Sequence, residues 1–232
     1  MESEEPQNEI RELTKPQCRV IGALMEKAFT TAEQYPLTLK ALTSACNQKS
    51  NRDPVASYDE GIVVRTLDEL REMSLIAEVY TDGGRAARYR HYMRYRYDFS
   101  ESQFAILAEL LLRGAQQPGE LRTRASRMVR IESQDDLRSD LASLQDKGFV
   151  RSSGPLDRRG VQVDHTFYTG SKAPVLEDHS DGSDVASSET PQSTTDTAKS
   201  TLTDELQAEV TALRQELDEV KLAVERLEDL MK

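Results

Sequence analysis

The sequence has no tryptophan, only two cysteines and three histidines, and no long apolar run. Cys18 and Cys46 are too few for a disulfide framework, and the scattered histidines add no spacing typical of a metal site. A membrane helix needs about 20 predominantly apolar residues, and the acidic start MESEEPQNEI lacks the basic and then apolar pattern of a signal peptide. We therefore expect a soluble, cytoplasmic protein with no cofactor, no metal and no membrane partner.

Motifs of common enzyme classes are also missing. The sequence contains no P-loop and no glycine-rich dinucleotide fingerprint after a strand. Cys18 falls on the apolar side of the first predicted helix, and Cys46 has no histidine near it in sequence that would act as a base. We expect the protein not to be an enzyme.

Charge is distributed unevenly along the chain, whose net charge is −11. Residues 171–232 carry a net charge of −9 and residues 1–12 a net charge of −4, which leaves +2 for residues 13–170. Residues 171–201 contain 12 serines or threonines and almost no large apolar side chain. These compositions predict an acidic disordered N-terminus over 1–12 and a disordered Ser/Thr/Asp-rich linker over 171–201, around a nearly neutral body.

An apolar seam with alternating spacings of four and three residues occupies residues 202–232. Heptad spacing predicts a coiled-coil helix, and in a parallel pair Glu209 and Glu216 would face Arg214 and Lys221 of the partner helix. The alternative is one amphipathic helix that packs on its own body. We expect a homodimer through this helix, with the contact residues Leu206, Val210, Leu213, Leu217, Val220, Val224 and Leu227.

The body contains an internal repeat. Thr14 and Gln17 recur 86 residues later as Ser100 and Gln103, and each S/T-x-x-Q capping box opens a helical apolar stripe. Each copy continues with two further amphipathic helices and then with two short β segments around a turn. Three helices followed by a hairpin are typical of the winged helix-turn-helix, although a plain three-helix bundle is the alternative.

The sequence thus predicts a mainly α fold with small β wings, of class α+β. We expect tandem winged helix-turn-helix domains over residues 13–97 and 98–170, followed by the linker and the coiled-coil helix. The turn of the first predicted hairpin lies at residues 81–84 and that of the second at 154–160.

Four stretches of the body carry a family resemblance: YPLTLKAL at 35–42, ACNQKSNRDPV at 45–55, GGR at 83–85 and GELRTRASRM at 119–128. They resemble the YceH-like family of bacterial proteins, an uncharacterised conserved domain with two winged-helix modules. The resemblance covers most of residues 13–170 and does not extend to 171–232. It implies a fold rather than a chemistry, because winged helices serve both nucleic-acid binding and protein contact.

The first candidate surface is the first predicted wing, since residues 83–97 contain no acid. As a strand, this segment would place Arg88, Arg90, Tyr92, Arg94 and Arg96 on one face and Tyr89, His91, Met93, Tyr95 and Tyr97 on the other. A cationic face of this kind suits contact with phosphate groups. The alternative is a solvated edge strand whose arginines discourage aggregation. The candidate nucleic-acid-binding residues here are Arg85, Arg88, Arg90, Arg94 and Arg96.

A second candidate surface is the predicted helix over residues 119–130. Its apolar side carries Leu121, Ala125 and Met128. Its arginines would lie along a phosphate backbone, although any solvated amphipathic helix has the same pattern. The candidate residues of this helix are Arg122, Arg124, Arg127 and Arg130.

A third candidate is a polar contact loop made of Asn47, Gln48, Lys49, Asn51 and Arg52. Such side chains bind phosphate, a peptide backbone or a neighbouring domain, or they satisfy helix ends and turns locally. The predicted third helices begin with acids, which repel phosphate, so the wing and the 119–130 helix are the better candidates for DNA contact. Two hypotheses follow: a dimeric, regulator-like DNA-binding protein, or a scaffold whose winged helices bind a protein partner.

Overall fold

The computed structural model describes residues 12–80, 86–168 and 176 of the chain. Several predictions from the sequence lie outside these residues. They concern the N-terminal segment up to residue 11, the turn at 81–84 with Arg85, the linker apart from Leu176, and the coiled-coil helix with its seam. No helix among the described residues is long and apolar enough to span a bilayer.

The first half of the described chain contains three helices, three short strands and two helical turns. These elements are α1 (Lys15–Thr30), a 3-10 turn (Ala32–Gln34), β1 (Leu37–Thr38), α2 (Leu39–Cys46), α3 (Glu60–Glu72), β2 (Ile76–Val79), β3 (Arg88–His91) and the turn α4 (Met93–Arg96). Helix α1 begins with the predicted capping box. The Thr14 hydroxyl accepts a hydrogen bond from the Gln17 N–H, and the Gln17 side chain accepts one from the Thr14 N–H.

The second half repeats the order of three helices and then a hairpin. Its elements are α5 (Glu101–Arg113), α6 (Pro118–Ala125), α7 (Gln134–Asp146), β4 (Val150–Ser152) and β5 (Val163–His165). Ser100 and Ser133 begin α5 and α7 with capping boxes. The α+β class predicted from the sequence is confirmed, because the helices are joined by small antiparallel sheets in both halves.

Strand β3 lies in the middle of a three-stranded antiparallel sheet with the order β1-β3-β2. The interpretation of this segment as an edge strand is therefore wrong: the two-residue strand β1 pairs with its free side. Strands β4 and β5 form a separate antiparallel pair.

The strand predicted beyond Arg88 is also shorter than expected. Its pairing partner β2 begins at Ile76, opposite His91, so no strand residues are left to pair with the chain after that point. The Tyr92 N–H donates instead to the Leu75 carbonyl oxygen, and the turn α4 follows. This turn brings Met93 into the core.

Helices α1 and α5 pack along each other and join the two halves through one continuous core. Gly22 of α1 marks their close approach, since a Cβ atom at this position would lie 3.0 Å from Cγ of Leu112 in α5. A cluster of aromatic rings extends the core towards the second hairpin. Its members are Tyr97, Phe99, Phe104, Phe149 and Phe167.

Candidate functional site

The outer face of the three-stranded sheet carries Arg88 and Arg90. Residues directly opposite one another in an antiparallel pair share a face. Arg88 lies opposite Val79 of β2 and Thr38 of β1, and Arg90 lies opposite Ala77 of β2. These cross-strand neighbours are uncharged, so the paired strands place no carboxylate directly opposite either arginine. The Arg88 guanidinium donates to the Pro36 carbonyl oxygen at 2.9 Å.

Arg90 is also part of a cluster of aromatic side chains that follows the strand. Its guanidinium carbon lies 5.1 Å from the ring centre of Tyr92 and 5.9 Å from that of Tyr95. The two rings meet edge to face at 5.2 Å, and Tyr95 is 76% exposed. We call Arg88, Arg90, Tyr92 and Tyr95 the Arg–Tyr surface. It combines cations with an exposed π face.

Arg94 and Arg96 do not continue the face of β3, because the strand ends at His91. The single cationic face predicted over 88–96 is therefore shorter than expected. The Arg94 guanidinium donates to both carboxylate oxygens of Glu101, and this hydrogen bonding lowers the pKa of Glu101. Arg96 is half-buried, and its Nε is buried with no hydrogen-bond partner in the part of the chain that the structure describes.

Helix α6 ends at Ala125, so the basic helix predicted over 119–130 is wrong in its second half. The chain after Ala125 continues as a turn that contains Arg127. In the helix, Arg122 donates to the carbonyl oxygens of Ile131 and Glu132. The remaining arginines bind carboxylates: Arg124 pairs with Glu120 at 3.4 Å, Arg130 with Glu132 at 3.0 Å, and Arg127 with two buried acids described next.

Two buried carboxylates, Glu26 of α1 and Glu109 of α5, bind three arginines between the two halves. Arg127 donates to Glu109 at 2.8 Å and to Glu26 at 3.4 Å. Arg52 donates to Glu26 at 2.6 Å, and Nε of Arg113 lies 2.8 Å from Glu109. We call these five residues the buried ion network. Burial alone would raise the pKa of Glu26, but the hydrogen bond and charge of Arg52 lower it below its usual value.

Asn47, Asn51 and Arg52 of the polar contact loop form hydrogen bonds with other parts of the protein. The Asn47 side chain donates to the Tyr58 carbonyl oxygen at 2.7 Å and accepts from the Tyr58 N–H at 2.8 Å. Asn51 adopts a left-handed backbone, with φ of 58°, and its side chain accepts from Arg113 of α5. The loop therefore joins the two halves, which is one of the roles that the sequence left open.

Arg52 is the most deeply buried member of this loop. Its guanidinium donates to the Ala45 carbonyl oxygen, to the Asn51 carbonyl oxygen and to the Gln48 side chain, as well as to Glu26. Lys49 is exposed. This leaves Lys49 as the cation of the loop that faces solvent.

Sequence reasoning missed Glu26 and Glu109, the acids on which the network depends. Their signal is a single acid inside an apolar helical stripe, in VIGALMEKAF and FAILAELLL. A buried charge is expensive unless it is paired. An acid inside such a stripe therefore predicts a basic partner elsewhere in the chain, although it does not say which one.

Comparison with known proteins places most of the described chain within one family. The family model described as "Protein of unknown function, DUF480" matches residues 13–159. A UPF0502 protein of Pseudoalteromonas atlantica is 40% identical over 227 residues, which cover 93% of this chain and 97% of that protein. A UPF0502 protein of Geobacter sulfurreducens is 57% identical over 116 residues, about half of each chain. One of Rhodopirellula baltica is 41% identical over 184 residues, 78% of this chain and 77% of the relative.

Proposed function

The chain belongs to the DUF480 family, in agreement with the YceH-like resemblance of its sequence, and because the family description assigns no activity we propose a function from the surface of the chain itself. The proposed function is that of a non-enzymatic DNA-binding protein of regulator type. Each half of the body is a winged helix-turn-helix module, and the Arg–Tyr surface of the first module contacts the nucleic acid.

The order of elements supports the winged-helix assignment. Each half contains three helices followed by an antiparallel hairpin, β2-β3 in the first and β4-β5 in the second. In the first half a short strand before α2 adds to the hairpin, which gives the wing three strands. This arrangement is typical of the winged form of the helix-turn-helix.

The observation that carries the proposal is the Arg–Tyr surface. Arg88 and Arg90 share the outer face of the sheet with uncharged cross-strand neighbours. Most protein–DNA hydrogen bonds go to phosphate and sugar groups, and arginine is a common donor in them. Tyr95 adds an exposed ring beside these cations, and exposed aromatic rings stack on bases that are not paired.

The third helices are poor candidates for the DNA contact. Helix α3 exposes Glu60, Asp68 and Glu69 beside Arg65, and α7 begins with exposed Asp135 and Asp136. Carboxylates on these faces repel phosphate. Arg124, Arg127 and Arg130, in and after α6, pair with carboxylates of the protein itself, so these three arginines are weaker candidates than the sequence suggested.

The state of the two cysteines supports a binding role over catalysis. Both are buried, and burial raises the pKa of each thiol to about 12. Such thiols are protonated at neutral pH, and the thiol is a poor nucleophile compared with the thiolate. Among residues 12–80 and 86–168, no group of three or more His, Cys, Asp or Glu side chains is arranged to hold a metal ion.

The test is binding of the full chain to random-sequence duplex DNA across a salt series. We expect binding at low salt that weakens steeply as salt rises, because phosphate contacts release counterions. The double variant Arg88→Ala and Arg90→Ala removes two contacts and flattens the slope of log K against log salt by about 0.9 per contact. The matched control is Arg65→Ala with Arg159→Ala, which removes the same charge from exposed positions outside the Arg–Tyr surface.

The outcomes separate the two hypotheses. No binding of the wild-type chain at low salt would refute the DNA proposal and favour the scaffold, because a weak electrostatic complex is most visible under that condition. Binding that both double variants weaken equally would retain DNA as the partner and refute the choice of surface. Asn47, Asn51 and Arg52 of the polar contact loop form hydrogen bonds within the protein, so this loop is a weak candidate for binding a protein partner.

A further inference from the structure

A cavity of about 300 Å³ opens between the two halves. The start of α1 and the loop after Asn51 form one wall, and the end of α5 with the residues after β5 form the other. The Leu13 N–H donates to the Phe167 carbonyl oxygen at 2.7 Å and holds these two walls together. The cavity volume is at the lower end of the range of about 300–1,000 Å³ seen for small-molecule sites.

The walls are mostly apolar. Cys18 and Leu111 contribute buried apolar groups, and Ala115 lines the side formed by the chain after α5. His165 and Tyr168 stack on each other at 4.2 Å. Burial lowers the pKa of His165 to about 3, so this ring is neutral at physiological pH. An apolar body would therefore find both aliphatic and aromatic contacts here.

The charges that line the cavity are mainly positive. Lys15 and Arg19 are four residues apart on α1 and so lie on one face of the helix. Arg113 also lines the cavity, but its charge is matched by Glu109. The acid on the lining, Asp53, is exposed and does not form an ion pair with either Lys15 or Arg19 in the described part of the chain.

Arg19 is a buried cation that forms no ion pair with a carboxylate of residues 12–80 or 86–168, although the charge of Asp53 acts to raise its pKa. It is 5% exposed, and its guanidinium donates to the carbonyl oxygens of Cys46 at 3.1 Å and Pro54 at 2.7 Å. Its Nε is buried and has no hydrogen-bond partner among the described residues. Across the described ranges, no carboxylate pairs with this side chain. Burial of a charge that is not paired is costly, and an anion in the cavity would compensate it.

We propose that this cavity is a binding site for a small organic carboxylate, whose acid group is held by Lys15 and Arg19 and whose apolar body lies against Leu111 and Tyr168. The volume suits a single-ring or short aliphatic acid. The site is separate from the Arg–Tyr surface, and the proposal does not rest on DNA binding.

The test uses the full chain and titrates it with benzoate in an isothermal calorimeter, without DNA. Benzyl alcohol is the matched probe, because it keeps the ring and lacks the charge. We expect one saturable site for benzoate and binding of benzyl alcohol that is at least about ten-fold weaker, since charge-assisted hydrogen bonds are the stronger ones. Lys15→Gln weakens benzoate binding by about ten-fold for the same reason. Lys40→Gln, a change at an exposed lysine of α2, leaves the affinity for benzoate unchanged.

A second variant tests the cavity by volume rather than by charge. Ala115→Phe places a ring in the cavity and abolishes benzoate binding, while the circular dichroism spectrum and melting curve check that the chain is folded. Absence of saturable benzoate binding, equal affinity for benzyl alcohol, or undiminished binding by folded Ala115→Phe would each overturn the proposal. None of these results depends on whether the chain binds DNA, so the two proposals fail separately.

Discussion

Arg52 and Glu26 form an ion pair with an N–O distance of 2.6 Å, in which 0% and 2% of the two side chains are exposed. Arg52 lies in the loop after α2 and Glu26 in α1, and Arg127 extends the contact from Glu26 to Glu109 of the second half. Buried ion pairs thus connect the two halves. Removal of one partner would leave a buried charge unpaired, which is costly.

We predict that Arg52→Met destabilises the full chain by about 3–5 kcal/mol, because it leaves Glu26 buried with weaker partners. The double variant Arg52→Met with Glu26→Leu recovers most of this loss, since a buried pair is often replaced by apolar side chains at little cost. Urea unfolding monitored by circular dichroism measures both. Arg130→Ala is the control, because its pair with Glu132 is exposed and contributes at most about 1 kcal/mol. A loss for Arg52→Met no larger than that of the control would contradict the role of the network.

Local signals in the sequence predicted much of this fold. The capping boxes at Thr14 and Ser100 mark where α1 and α5 begin, because their side chains bond to backbone groups three residues away. The internal repeat predicted two sets of three helices and a hairpin in the right order. These features depend on neighbours along the chain, which a single sequence displays.

The features that sequence reasoning missed depend on distant neighbours. The end of β3 at His91 is set by where β2 begins, and the central position of β3 is set by a two-residue strand, Leu37–Thr38, that is too short to show an alternating pattern. The arginine pattern predicts a solvent-facing position for Arg127, and its partners Glu26 and Glu109 lie 101 and 18 residues away in the sequence, where local spacing does not reveal them. Arginine spacing alone does not distinguish a phosphate contact from a buried ion pair.

We predict that stability falls as the pH is lowered from about 6.5 towards 4. Burial lowers the pKa of His91 to about 4 and that of His165 to about 3, so the unfolded chain binds protons in this range while the folded chain does not. A histidine with a lowered pKa contributes stability above its unfolded pKa and loses it on acidification, by about 1.4 kcal/mol per pH unit for each group.

Urea unfolding at several pH values measures this slope. Burial raises the pKa of Asp164, so protonation of this carboxylate stabilises the folded chain as the pH falls and opposes the effect of the histidines. We therefore compare the wild-type slope with that of His91→Phe. This variant removes one of the two groups and reduces the slope between pH 6 and 5 by about 1.4 kcal/mol per pH unit. A slope that His91→Phe leaves unchanged would show that His91 does not titrate as its burial requires.

We predict that the full chain is a dimer through residues 202–232. Leu213→Glu places a charge in the apolar heptad seam and dissociates the dimer, whereas Gln215→Glu lies on the outer face of the predicted helix and leaves it intact. Light scattering after size exclusion measures the mass of each. A chain that ends at residue 175 provides a second comparison. If this shorter chain is still a dimer, the interface lies in the body and the coiled-coil prediction is wrong.

The last prediction separates the two chemical parts of the Arg–Tyr surface. Tyr95 is 76% exposed, so Tyr95→Ala changes the free energy of unfolding by about 0.5 kcal/mol or less. If its ring stacks on unpaired bases, this variant weakens binding to single-stranded DNA by about five-fold or more and binding to duplex DNA much less, since bases in a duplex are already stacked. Tyr95→Phe keeps the ring and retains the affinity. Loss of Arg88 and Arg90 instead weakens binding to both single-stranded and duplex DNA, because both forms carry the phosphates that arginines contact. Fluorescence anisotropy with a labelled strand and with its duplex measures each variant on both substrates. Equal losses on both substrates for Tyr95→Ala would show that the ring does not act by stacking.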